Sequence, residues 1–171
     1  MGPSLLPLLA RRLLKKYRPT THFSDLGRSL GDELLTPTRI YACEVVDILK
    51  SDIDVKALMH ITSDGFLNLL RVASPTGYVI HSLPELHPIF KIIEREANVT
   101  IEEMYRVFNM GIGFCLVVSH RGNHVTRAQE TLKRHNVERY EIGRTVSDPE
   151  KAVVIEPVHL VGKDGRFRKR R

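Results

Sequence analysis

Leu5, Leu6, Leu8, Leu9, Leu13 and Leu14 are interrupted by Arg11 and Arg12 and followed by Lys15 and Lys16. That spacing predicts a helix over Leu5–Tyr17, closed by Pro19. Residues 18–35, with Thr20, Thr21, Gly27 and Gly31, read as a connection, so residues 4–35 form a helical N-terminal arm. Thr36-Pro37 has the chemistry of a helix start, threonine as N-cap and proline at the first helical position. The helix it opens is apolar on most faces from Ile40 to Leu49, which predicts deep burial. Val55–Ile61 reads as a strand, Phe66–Val72 as a short helix and Tyr78–Leu83 as a second strand. Leu86–Ala97 is amphipathic, and Thr100 with Glu103 has the spacing of a capping box that starts a helix through Val107. Phe114–Val118 is a continuous apolar run, suited to a central strand buried on both faces. Val125, Ala128 and Leu132 mark a helix to His135, and Tyr140–Val146 and Val153–Val158 read as closing strands.

Strands and helices therefore mix as an α+β or α/β layered domain, with at least one sheet covered by helices. The chain has 171 residues, of which 42% are hydrophobic and 27% charged, the balance of one ordinary globular domain. No apolar run approaches the roughly 20 residues of a membrane helix. Cys43 and Cys115 lie in apolar segments outside any CxxC pair and read as free, buried thiols in a reducing, cytoplasmic setting. His120 and His124 are four apart, but no acidic third ligand is near in sequence, so no metal site is expected.

The net charge of +6 is unevenly placed. Residues 163–171 carry six positive charges and one negative, and residues 11–18 carry five positive charges, leaving the remainder of the chain at −4. The body is mildly acidic, which argues against a nucleic-acid face on the fold itself. Residues 159–171 read as a solvated, disordered basic tail after a domain spanning 1–158, with at most weak polyanion contact.

Gly111 and Gly113 stand where a polar turn becomes the apolar strand at Phe114. Glycine there signals a bulge, a positive φ or close approach of backbone to another group. The segments around them, Leu34-Leu-Thr-Pro-Thr-Arg-Ile-Tyr41, His60-Ile-Thr-Ser-Asp-Gly-Phe66 and Glu103-Met-Tyr-Arg-Val-Phe-Asn-Met-Gly-Ile-Gly113, resemble the C-terminal domain of aminoimidazole ribonucleotide synthetase (phosphoribosylformylglycinamidine cyclo-ligase). His87-Pro-Ile-Phe-Lys91, Ile142-Gly-Arg144 and Ala152-Val-Val-Ile-Glu156 fit in order and spacing, so the resemblance runs from Leu5 to Glu156. It implies an α+β fold, layered α/β/α with a mixed sheet. It also implies the ligase reaction of purine biosynthesis, in which ATP activates the formamide oxygen of formylglycinamidine ribonucleotide and a substrate nitrogen closes the imidazole ring. By the same resemblance Thr38, Arg39, His60, Thr62, Gly65, Asn109, Gly111 and Gly113 are the substrate- or phosphate-binding candidates. ATP and magnesium belong mainly to an N-terminal domain that pairs with its copy.

Two departures qualify this picture. The N-terminal domain and the Gly-x-His-Ser-Asn-Gly type of loop are replaced by Met1-Gly-Pro-Ser-Leu-Leu, which implies a truncated domain inactive alone, working with a separate ATP-binding domain or as a homo-oligomer. Ser63-Asp64-Gly65 stands where the family has three glycines. Asp64 can cap the turn's N–H groups itself and repel phosphate, which keeps open the alternative of a non-catalytic binding or interaction module. Arg39 can meet a phosphate or salt-bridge Glu44 or Asp47, and His60 can line a cleft or be a satisfied half-buried histidine.

Overall fold

The computed structural model describes residues 6–170, with side chains from Arg11 onward. Helix α1 (Leu6–Lys16) is followed by a short α2 (Leu30–Leu34), inside the segment expected to be a plain connection. Ser29 explains α2: its hydroxyl accepts from the Asp32 N–H at 3.1 Å, and acidic Asp32 and Glu33 occupy the first turn.

The next helix, α3 (Ala42–Lys50), begins five residues later than Thr36-Pro37 suggests. Thr36 does not cap it; its hydroxyl donates back to the Asp32 carbonyl at 3.2 Å. Residues 36–40 form an exposed segment without regular structure, and Tyr41 precedes the helix without a side-chain cap. Burial of α3 is also narrower than its composition implies. Only Glu44 and Ile48 are buried, while Ile40 is 82% exposed and Leu49 54%. Cys43 is exposed too, contrary to the expectation of two buried thiols; burial pushes the Cys115 thiol up to about 12.

Strand β1 (Val55–His60) leads into a 3-10 helix (Gly65–Arg71), then β2 (Thr76–Ile80), α4 (Pro88–Ala97), α5 (Ile101–Val107) and β3 (Phe114–Val118). The Thr100 hydroxyl accepts from the Glu103 N–H at 3.4 Å, but the Glu103 carboxylate turns to Arg106, so half the capping box forms. The chain closes with α6 (His124–Arg134), β4 (Gly143–Ser147), β5 (Val153–Ile155), a 3-10 turn, β6 (Leu160–Lys163) and β7 (Arg166–Lys169).

The fold is α+β, with an antiparallel pair and a mixed sheet. β1 and β3 pair as a two-stranded ladder, and the other strands form a sheet ordered β4-β2-β5-β6-β7, in which only β2 and β5 run parallel. β3 is thus no central strand, and each of its residues is half-buried. Its alternating faces serve two cores: Cys115 and Val117 pack on the main one, Leu116 and Val118 on a small cluster of Ile48, Ile53 and Ala128 between α3 and α6. The main core takes Ile89, Phe90, Ile92 and Ile93 from α4 and Tyr78, Ile80, Val153, Ile155, Leu160 and Phe167 from the five-stranded sheet.

Residues 160–169 correct the expected disordered tail. β6 and β7 form a hairpin, and Phe167, 6% exposed, faces the core. One apolar residue within a basic run suffices because alternation puts it on the opposite face from Arg166 and Arg168.

Glu96 of α4 ties down α1. It accepts from Lys16 Nζ and the Tyr17 hydroxyl, each at 2.5 Å, and from Arg95 Nε at 2.8 Å. These bonds, Lys16 foremost, hold its carboxyl at about 2 against an ordinary 4.5. Because the folded value is depressed, the stabilisation is complete above pH 4.5 and is lost as pH falls toward 2. We expect α1 to undock in that window, with the Glu96 carboxyl resonance titrating near 2. Titration near 4.5 with α1 still docked would refute the tie.

Candidate functional site

The site is built at one end of the β1–β3 ladder. His60 pairs with Phe114, and the next N–H, that of Ile61, donates to the Gly113 carbonyl at 3.0 Å. The end of β1 is thereby joined to the Asn109–Gly113 loop. The loop holds itself: the Gly111 N–H donates to Asn109 Oδ1 at 3.1 Å and the Ile112 N–H to the Asn109 carbonyl at 2.8 Å. Met110 (φ 48°) and Gly111 (φ 92°) both take left-handed backbone, while the Met110 side chain is buried. A Cβ on Gly111 would meet nothing, so φ alone explains that glycine.

Gly113 has a different reason. A Cβ there would overlap the Tyr41 hydroxyl, which lies directly over the loop. The Tyr41 ring stands 5.3 Å from Phe114 and 5.9 Å from His60, centroid to centroid, so three rings and one glycine form a single cluster. Burial, the largest cause, raises the Tyr41 phenol above its usual value and leaves a neutral hydroxyl. Neither Tyr41 nor Phe114 was among the sequence candidates. The available signal was that Tyr41 ends one recognisable string and Phe114 follows another.

Thr62 opens the adjoining turn, where the Gly65 N–H donates to its carbonyl at 3.0 Å. Gly65 has φ +51°, and a Cβ on it would overlap the carbonyl oxygens of Tyr105 and Phe108. This glycine serves close packing against the end of α5. Asp64 sits in left-handed backbone (φ 78°) and makes no side-chain cap; its carboxylate accepts from Arg71 at 2.7 Å. The expected capping role is therefore replaced by an ion pair across the turn. Buried Asn68 completes the turn by donating to the Ser63 and Gly65 carbonyls at 3.0 and 2.8 Å.

The ladder thus brings His60 beside Gly113; Thr62 lies two residues beyond His60 in the turn closed by Gly65, and Asn109 and Gly111 form the turn that leads into Gly113. Thr38 and Arg39 lie in the exposed segment leading to Tyr41. Arg39 Nε donates to buried Glu44 at 3.2 Å and its terminal nitrogen to the His135 carbonyl at 3.4 Å, which favours the salt-bridge reading of that residue. A separate open cleft of about 450 Å³ is lined by the ion pairs Asp64–Arg71 and Glu150–Lys163, by Lys151, which donates to the Val72 carbonyl, and by Asp164. The ladder end, with its backbone turns and neutral donors, is the better place for a polar ligand.

A family model described as AIR synthase related protein, C-terminal domain, matches residues 8–156. Among curated relatives, the phosphoribosylformylglycinamidine cyclo-ligase of Methanothermobacter thermautotrophicus is 49% identical over 114 residues, 65% of this chain and 33% of the relative. That of Methanocaldococcus jannaschii is 43% identical over 125 residues, 72% of this chain and 35% of the relative. That of Methanococcus vannielii is 54% identical over 93 residues, 54% of this chain and 26% of the relative. The chain spans about a third of the length of these relatives.

Proposed function

This chain belongs to the AIR synthase related proteins through their C-terminal domain, and we propose that it forms the substrate side of an ATP-dependent cyclo-ligase acting on formylglycinamidine ribonucleotide. The observation that carries the reading is the junction of His60 and Gly113 beneath Tyr41, with Thr62 just beyond His60 and the Asn109–Gly111 turn leading into Gly113. The neutral Tyr41 hydroxyl positions the substrate over a loop whose Gly111 and Ile112 amides are held by Asn109, and the exposed face of His60 closes one wall. Such positioning is worth several kcal/mol in ring closures between oriented groups, roughly 7–11 in the best cases.

Magnesium and ATP do not fit the residues present. Among the described residues no three His, Cys, Asp or Glu side chains converge as metal ligands. At the Ser63–Gly65 turn the Gly65 amide is spent on the Thr62 carbonyl, and the Asp64 carboxylate adds negative charge to the turn. We therefore place ATP and its metal in a domain outside these residues, without which the chain is inactive. Leu35, Ile40, Val46 and Leu49, exposed on the segment and helix flanking Tyr41, supply the apolar contact for that domain or for a second copy.

Amide resonances of Asn109, Gly111 and Gly113 should shift on adding formylglycinamidine ribonucleotide, while Gly65 stays put. Silence from all of them at millimolar ligand would favour the second reading, a non-catalytic module, which the Asp64–Arg71 pair supports. Substrate-dependent ADP release by the chain alone, at an enzyme-like rate, would refute the external ATP site.

A further inference from the structure

The β6–β7 hairpin lies beyond the residues that match the family, and its basic side chains are arranged rather than scattered. Phe167 faces Tyr105 of α5, with ring centroids 6.4 Å apart. Alternation along β7 therefore turns Arg166 and Arg168 to the opposite face of the sheet. The ladder continues one step further, because the Arg170 N–H donates to the His159 carbonyl at 2.7 Å, and this puts Arg170 in the same column. All three arginines are exposed, and among the described residues none has an acidic partner, whereas neighbouring Lys163 is neutralised by Glu150 at 2.8 Å. Their spacing is about 7 Å, two residues of strand, comparable to the separation of successive phosphates along an extended nucleic-acid strand.

The face they border is open. Arg144, Val79, Val154, Val161 and Arg168 register in one row across all five strands, and the three valines belong to neither core. A second copy docked face to face would set arginine against arginine. The row offers a protein partner only three half-buried valines and no deep anchor pocket. Charged edge strands do guard against aggregation, and lysine suits that purpose. Here every outward position of the column is arginine, whose planar fork binds phosphate through two parallel hydrogen bonds.

We propose that the Arg166–Arg168–Arg170 column binds the phosphate backbone of single-stranded RNA without reading its sequence. No aromatic side chain stands in the row, so base stacking contributes nothing and salt dependence is the signature.

The test is fluorescence anisotropy of a labelled oligouridylate titrated with the full chain at several salt concentrations. Three phosphate contacts give a slope of log affinity against log salt near −2, about 0.7 for each phosphate of a single strand. The triple variant R166Q/R168Q/R170Q should lose that slope and bind at least about tenfold more weakly at low salt, with an unchanged thermal midpoint. Should it fail to fold, R166K/R168K/R170K keeps the charge, and it is expected to keep the slope with weaker affinity. Two results would overturn the proposal. One is an equal loss from K50Q/K133Q/R139Q, which removes the same charge elsewhere on the surface; the other is equally tight binding of labelled polyglutamate.

Discussion

Gly65→Ala is expected to cost about 3 kcal/mol or more of unfolding free energy, read from urea midpoints. Two penalties combine. A left-handed φ costs an L-residue about 1–2 kcal/mol, and forcing a methyl into filled space costs about 1–3 more. The second is unusually hard to relax here, because the obstacles are the backbone carbonyls of Tyr105 and Phe108 rather than a movable side chain. Gly111→Ala is the control: it also carries a positive φ, but its Cβ enters open space, so a loss of about 1 kcal/mol is expected. The comparison separates packing from ligand binding. A glycine kept only to cradle an anion would lose no more than the φ penalty in the unfolding experiment, as Gly111→Ala does, and fail mainly with ligand. Equal stability of Gly65→Ala and the native chain would sink the packing account and restore the turn as a binding element.

The same residue shows what the sequence could and could not reveal. The strand, the turn and the glycine were legible from local pattern, because alternation and turn chemistry are written within a few residues. That α5 would arrive against Gly65 was not, since contact between residues 65 and 105 depends on the whole fold. Thr36-Pro37 misleads in a related way. Its local chemistry is that of a helix start, yet the Thr36 hydroxyl satisfies the preceding helix instead, and Tyr41 is drawn over Gly113. Tertiary contact outweighed a correct local preference. Of the site, the His60, Thr62 and Asn109–Gly113 positions could be named from motif strings. The aromatic lid over them could not, because the β1–β3 register that pairs His60 with Phe114, and the path that carries Tyr41 onto both, are set by the whole fold. Arg39 shows the reverse: both of its options were visible, and its ion pair with buried Glu44 is the one the fold forms.

Phe167→Ala should lower the unfolding free energy by about 3 kcal/mol, the usual cost of truncating a buried phenylalanine, although it sits in a run that reads as disordered. The ring enters the core through the gap left by Gly162, where a Cβ would overlap it, and meets Tyr105 edge-on. Tyr105 in turn packs on Phe66, with centroids 5.6 Å apart, and its carbonyl abuts Gly65. The hairpin therefore braces the α5 end from which the Asn109–Gly113 loop departs. Two consequences distinguish this from a frayed appendage. The loss should appear in one cooperative transition shared by the whole chain, and amide protection at Gly111 and Gly113 should fall with it. Arg168→Gln, on the outer face of the same strand, should change stability by no more than about 0.5 kcal/mol. An unchanged midpoint for Phe167→Ala would mean that β7 opens independently of the core. The loop at Gly111–Gly113 would then have to be held by α5 and β3 alone.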